Sequence, residues 1–326
     1  MTSEVVTFID LFAGIGGIRL GFEANGCKCV FSSELDKFAQ KTYQVNFGET
    51  PAGDITKIDA KEMPDFDILT AGFPCQPFSS IGKREGFANK TQGTLFFDIV
   101  GIIKEKNPPV IFLENVPGLV THDEGRTYEI ILGAIDELGY KVYEKILDSV
   151  DFEVPQYRKR IYIVGFKRDY FGGDSKIFFN FPKLSKKRVG VGKFIEVGVK
   201  GYTITKNLQE KYIFKKDDGR PLIIDSTYDK PVKTLVSTYH KIQRLTGIFV
   251  RDGETGLRLL TENECKAIMG FPIDFKIPVS RTQMYRQFGN SVAVPVITKI
   301  AREIIKTLQK ETDKELGQNT IKQYIT

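Results

Sequence analysis

Apolar and polar positions in the first half of the chain follow two periods in turn. Short apolar runs over 5–11, 28–33, 67–71 and 110–113 predict strands. Between them, apolar residues spaced three and four apart predict helices over 18–24, 38–46 and 95–106. A helix over 127–138 and two β-rich runs over 141–147 and 161–166 continue the alternation. Strands alternating with helices predict an α/β fold, a doubly wound and mostly parallel sheet covered by helices on both faces. Near Tyr170 the rhythm gives way to Gly- and Lys-rich, short-stranded sequence such as Val189-Gly190-Val191-Gly192. Helical spacing returns over 261–269 and 294–309. The expected organisation is a first domain over 1–182 completed by a terminal helical segment over 290–326, a smaller β-rich domain over 183–260, and a hinge over 261–289.

Composition narrows the chemistry. The chain has 326 residues and a net charge of +6, enough for one large domain and a smaller one. Seventeen Lys and Arg against eight Asp and Glu fall within 183–260, so the positive excess is concentrated in the second domain, which suits phosphate-backbone binding or a solvated face. The four cysteines, Cys27, Cys29, Cys75 and Cys265, form no disulfide framework and no C-x-x-C pair. Cys27 and Cys29 read as packing residues. With only His122 and His240, a His-based triad or metal cage is not expected, and no metal is assigned. The polar start and the lack of an apolar run of about 18 residues predict a cytoplasmic protein without a membrane span.

Several segments carry candidate chemistry. Ala71-Gly72-Phe73-Pro74-Cys75-Gln76-Pro77 places one cysteine in an irregular loop at the carboxyl end of a strand, where open α/β sheets bind ligands. By itself this loop fits a nucleophile or a small buried hydrophobe equally well. Phe12-Ala13-Gly14-Ile15-Gly16-Gly17 puts a glycine-rich turn between the first strand and the first helix, suited to close backbone approach of a ligand or simply to helix packing. Glu34, ending the second strand, stands where a carboxylate accepts from ribose hydroxyls, and Asp54 is placed to meet an adenine amino group; either acid also suits a helix cap. Glu114, after the fourth apolar strand, emerges on the same rim as Cys75, and a carboxyl beside a thiolate suits addition to an electron-poor ring with proton sharing at a ring nitrogen.

With these blocks in hand, the chain resembles the bacterial DNA (cytosine-5)-methyltransferases of the restriction-modification type. The resemblance runs from Phe8 to about Val296. It rests on six blocks in family order: the glycine-rich turn, Pro74-Cys75, Glu114-Asn115-Val116, Gln156-Tyr157-Arg158-Lys159-Arg160, a variable region, and Gln287-Phe288-Gly289-Asn290-Ser291-Val292. It implies a Rossmann-like fold that binds S-adenosylmethionine through Phe12, Ala13, Gly14, Ile15, Gly16 and Gly17, with Glu34, Leu35, Asp54 and Ile55. Pro74, Leu95, Asn290, Ser291 and Val292 complete that set. Cys75 is implied as the nucleophile, Glu114 as the group at ring nitrogen 3, Arg158 and Arg160 as the basic pair beside a flipped cytosine, and Gln156 as structural. Ser79 and Ser80 suit phosphate contacts or loop capping. In the basic segment, Arg220, Lys233, Lys241 and Arg244 are groove or phosphate candidates, and Thr234-Leu235 matches a short signature of the recognition domain. One departure stands out: Asn263 and Ala267 flank Glu264 where the family often carries arginines.

The resemblance also implies a reaction. Cys75 thiolate adds to carbon 6 of cytosine, carbon 5 takes the methyl group, and loss of the carbon 5 proton expels the sulfur. The base must leave the stack for this to occur. Implied partners are double-stranded DNA and a cognate restriction endonuclease, and the protein is expected to be a monomer. Methylation of transfer RNA and an inactive DNA-binding module are the competing readings; intact Cys75, Glu114 and Arg158 argue against the second. A nicotinamide-dependent oxidoreductase would leave Pro74-Cys75 and Glu114-Asn115 unexplained.

Overall fold

The computed structural model describes residues 5–74, 95–216 and 218–323, with side chains of the last helix described to residue 309. One six-stranded sheet dominates, in the order β2-β1-β3-β4-β6-β5. Its strands are β1 Thr7–Leu11, β2 Lys28–Ser33, β3 Ile68–Ala71, β4 Val110–Asn115, β5 Tyr140–Asp148 and β6 Lys159–Lys167. The first four run parallel, and β6 pairs antiparallel with both β4 and β5. Every position of β3 and β4 is buried, which is why their sequences read as continuous apolar runs with no polar alternation. On the edge strand β5 charged residues such as Glu144 and Lys145 are exposed, which discourages pairing with another chain.

Helices cover both faces. On one face lie α1 Gly17–Glu23 and α9 Val294–Gln323; on the other, α3 Leu95–Lys106, the one-turn α4 Gly118–Thr121 and α5 Arg126–Glu137; α2 Lys37–Phe47 adds Ala39 to a separate apolar cluster. The last helix returns to the first: a Cβ on Gly21 would lie 2.5 Å from Ile297 Cγ2, so only glycine lets α1 and α9 approach this closely. Phe22 joins Phe8 and Phe112 in a buried aromatic row, which fixes α1 over the middle of the sheet. Among the described residues, no helix is long and apolar enough to cross a membrane.

Residues 183–260 contain little regular structure: the short α6 Lys206–Leu208 and a parallel pair of three-residue strands, β7 Leu222–Ile224 and β8 Ile248–Val250. Their apolar side chains share a cluster with α7 Glu262–Met269 and α8 Arg281–Asn290, so this core is continuous through the segment expected to be a hinge. The sequence pattern did not indicate α8, whose polar content hides its buried face of Met284, Tyr285, Gln287 and Phe288.

Candidate active site

Chain order and sheet order together decide where a site can form. The chain passes from β1 to β2 on one side and then to β3 on the other, so a crevice opens beyond the carboxyl ends of β1 and β3. A cavity of about 610 Å³ lies there, lined by the turns after β1, β2 and β3, the end of β4, and α8 with the residues that follow it.

The turn after β1 is built from its backbone outward. Phe12, Gly14 and Gly16 take left-handed φ values of 55°, 56° and 82°. The N–H of Ala13 donates to the Ser33 carbonyl at 2.9 Å, and that of Gly16 to the Ala13 carbonyl at 2.8 Å. Glu34 holds the turn from the other side: one carboxylate oxygen accepts from Gly14 N at 2.7 Å, the other from Asp36 N at 2.7 Å. Burial pushes the Glu34 carboxyl above the usual range, although these two backbone N–H groups oppose the shift. Gly17 admits the far wall, since a Cβ there would lie 2.7 Å from Ser291 Oγ and 2.8 Å from Val292 Cγ2.

Fourteen of the fifteen residues expected at the cofactor line this cavity: Phe12 to Ile15, Gly17, Glu34, Leu35, Asp54, Ile55, Pro74, Leu95, and Asn290 to Val292. Gly16 does not; its Cα faces away, where a Cβ would meet the Phe47 ring at 2.2 Å. Asp54 takes both of its sequence readings at once. It lines the cavity and also caps the turn after it, accepting from Thr56 N at 3.1 Å and Thr56 Oγ1 at 2.8 Å, and these bonds hold its carboxyl below the usual range.

At the floor, strand register brings the reactive groups together. Glu114 on β4 lies opposite Tyr162 on β6. Side chains alternate along a strand, so Arg160, two residues from Tyr162, shares the face of Glu114 as its diagonal neighbour. Its Nε lies 2.9 Å from Glu114 Oε1. Glu114 is only 8% exposed; burial raises its carboxyl above the usual range, with Arg160 and then Arg158 pulling the other way. Such a group takes up a proton more readily than an ordinary glutamate. Asn115 next to it donates from Nδ2 to the Phe73 carbonyl at 2.9 Å, which anchors the strand end that leads into Pro74 and Cys75. Cys75 itself, with Ser79 and Ser80, lies outside the described residues. Cys27 and Cys29 are buried, and burial pushes both thiols up to about 12, so neither offers a thiolate at neutral pH.

Arg158, unlike Arg160, does not line the cavity. It is 2% exposed, and its guanidinium is spent on backbone carbonyls: Nη1 donates to Leu235 O at 3.1 Å, and Nη2 to Gly289 O at 2.9 Å and to Ser291 O. Burial, and after it repulsion from Arg160, bring it down to about 9, still charged at neutral pH. Gln156 is structural, fully buried, donating to the Ile268 carbonyl at 3.0 Å and accepting from Leu235 N at 2.6 Å.

The recognition-segment candidates divide in the same way. Lys233 Nζ donates to Leu245 O at 2.6 Å, and Arg244 is paired with Asp218, so both are held within the segment. Thr234 Oγ1 donates to Tyr157 O at 2.6 Å and Leu235 is buried, so this dipeptide fastens the segment to the sheet. Arg220 and Lys241 are exposed. Sequence reasoning missed Gln283 and Arg286, which line the cavity from α8. Their signal was a polar stripe, Gln283, Arg286, Gln287 and Asn290, at helical spacing. It also missed Arg258, fully buried at 2.9 Å from Asp252 and 2.7 Å from Glu264, which supplies an arginine to the block where Asn263 and Ala267 stand in place of the family's arginines.

The donor set fits an adenosyl sulfonium amino acid. Glu34 offers lone pairs for ribose hydroxyls, Phe12, Leu35, Ile55 and Leu95 give apolar walls, Asp54 accepts from an amino group, and Asn290 with Ser291 offers polar groups for a carboxylate. Comparison with known proteins agrees. The profile described as C-5 cytosine-specific DNA methylase matches residues 6–306. The type II methyltransferase M.MspI of Moraxella sp is 60% identical over 311 residues, which cover 94% of this chain and 73% of that protein. M.BsuFI of Bacillus subtilis is 58% identical over 297 residues, 91% of this chain and 71% of that one. In three dimensions the fold is shared with Spodoptera frugiperda DNMT2, at a TM-score of 0.74 and 22% identity over 93% of this chain and 99% of the other. The chain therefore belongs to the C-5 cytosine-specific DNA methylases and is a DNA cytosine-5 methyltransferase that uses S-adenosylmethionine.

Proposed function

We propose that this methyltransferase is the modification enzyme of a type II restriction-modification system, acting on a cytosine turned out of duplex DNA through a covalent adduct of Cys75. The observation that carries the reading is the buried Glu114–Arg160 pair at 2.9 Å on the floor of the cofactor cavity. The relatives named type II methyltransferases match nearly the whole chain and support the biological role. The cytosolic location, the partner endonuclease and a monomeric state belong to the same proposal, as does assignment of residues 183–260 to target recognition.

S-adenosylmethionine, when bound, supplies an electrophilic methyl group on a sulfonium. The protein's part is to make carbon 5 of cytosine electron-rich. Cys75 thiolate forms a bond to carbon 6, and the electron pair displaced from the ring double bond is delocalised toward nitrogen 3. Glu114 holds a proton there, which its raised pKa permits, and Arg160 fixes the carboxyl and offsets charge on the ring. After methylation, loss of the carbon 5 proton restores the double bond and the carbon–sulfur bond breaks, returning the electron pair to Cys75.

Cys75→Ala is expected to abolish transfer of tritiated methyl to DNA while leaving DNA binding within about threefold of the wild type. Undiminished turnover would refute the nucleophile assignment. Offering the same labelled cofactor with transfer RNA tests the choice of polymer, and bisulfite sequencing of host DNA after expression identifies the target.

A further inference from the structure

Arg158 bridges three parts of the molecule. Its backbone N–H donates to Asp148 Oδ1 at 2.8 Å, which fixes it at the start of β6. Its guanidinium then joins the Leu235 carbonyl, in the proposed recognition segment, to the carbonyls of Gly289 and Ser291, both of which line the cofactor cavity. The two segments also meet directly. A Cβ on Gly289 would lie 2.1 Å from Ser237 N, so the backbones of the cavity wall and the proposed recognition segment are in direct contact.

The way Arg158 is satisfied distinguishes it from an arginine that only stabilises the fold. Among the described residues no carboxylate is ion-paired with its guanidinium, on which Glu114 acts only at longer range, and its Nε is buried without a hydrogen-bond partner. Arg258, by contrast, directs Nε to Asp252 and both terminal nitrogens to Glu264. A buried donor left unmet is costly. Arg158 is therefore held by two separate strips of backbone, and its position depends on both.

We propose that Arg158 is a positioning residue that couples DNA binding to cofactor binding. DNA on the recognition segment fixes the Leu235 carbonyl and with it the guanidinium, which orders Gly289 and Ser291 for the cofactor; linkage makes the effect equal in the reverse direction. The inference rests on assigning the cavity to the cofactor and residues 183–260 to DNA. The affinity for S-adenosylhomocysteine without DNA reports on the cavity by itself, so failure of that assignment is read separately from failure of the coupling.

The test is titration calorimetry of S-adenosylhomocysteine into the full chain, alone and with saturating sheared bacterial DNA free of cytosine methylation. In the wild type, DNA is expected to tighten binding at least about fivefold. In Arg158→Lys, which keeps the charge but cannot reach both carbonyl sets from one planar group, that ratio should fall below about two while the DNA-free affinity changes less than about threefold. A wild-type ratio near one, or an unchanged ratio in the variant, overturns the proposal. Should Arg158→Lys lack a cooperative melting transition, Thr234→Val takes its place, because it releases the recognition segment from Tyr157 without touching the cavity. Its ratio is expected to fall as well, and an unchanged ratio again overturns the coupling.

Discussion

At the rim of the six-stranded sheet, Glu34, Glu114 and Arg160 take their positions from strand ends and strand register, whereas residues 183–260 carry two strands of three residues each and depend on individual side-chain bonds. On the rim, a shift of Glu114 would require slipping β4 against β6 along six paired residues. Over residues 183–260 the path is set by Arg158, Gln156, Gln209 and Arg258, each buried and each bonded to a carbonyl far along the chain. The rim is rigid because many weak constraints agree. The segment is specified by a few strong ones, which suits the target-recognition role proposed for it.

The contrast can be broken by experiment, beginning with the largest effect. Glu114→Gln keeps the shape of the rim but removes the titrating proton and the charge facing Arg160. Turnover in a single-turnover assay should drop by about 10²–10⁴-fold with cofactor affinity nearly unchanged, and a purely binding defect would remove Glu114 from the chemistry. Arg258→Ala strands Glu264 in the interior, leaves Asp252 unpaired and should cost about 3–5 kcal/mol in urea denaturation. A loss below about 1 kcal/mol, the worth of an exposed pair, would show that the segment does not hang on this tie.

Asp10 tests the sheet side through pH. It is fully buried in β1, and burial, only partly offset by Arg19, pushes its carboxyl up to about 8. Between about pH 5 and 8 the folded protein keeps a proton that the unfolded chain has lost. Stability from this group therefore falls as pH rises, by up to ~1.4 kcal/mol per unit. Asp10→Asn should flatten the pH dependence of the melting temperature over that window, and an identical slope in the variant would place the charge on Asp10 at neutral pH. The smallest effect is at the surface. Replacing exposed Arg220 and Lys241 together with alanine should reduce the slope of log affinity for DNA against log salt by roughly one to two, and an unchanged slope would remove both from the phosphate contacts.

Much of the rim was legible because local rules act over a few residues. A glycine-rich turn after an apolar strand, an acid ending the next strand and a Glu-Asn pair ending the fourth each carry their own reason for being there, and the fold places them around one cavity. Arg158 and Arg160 could not be told apart in sequence because two arginines two residues apart look equivalent there. Alternation puts both on the face of Glu114, but Arg160 sits inside the strand pairing next to the carboxylate, while Arg158 stands before it, beneath Leu235 and Gly289. Lys233 and Arg244 were equally indistinguishable from Arg220 and Lys241 until the carbonyl of Leu245 and the carboxylate of Asp218 were in place.

The sequence by itself determined the α/β class and the rim on which the chemistry sits, because periodicity and turn chemistry are properties of short stretches, while the reaction came with the resemblance of its ordered blocks to a known family. Only the tertiary structure decided which cations remain free, how Glu114 meets Arg160, and that one buried arginine joins the cavity wall to the recognition segment. Those outcomes depend on partners up to 133 residues apart in the chain, and burial and hydrogen-bond satisfaction are fixed only when such partners meet.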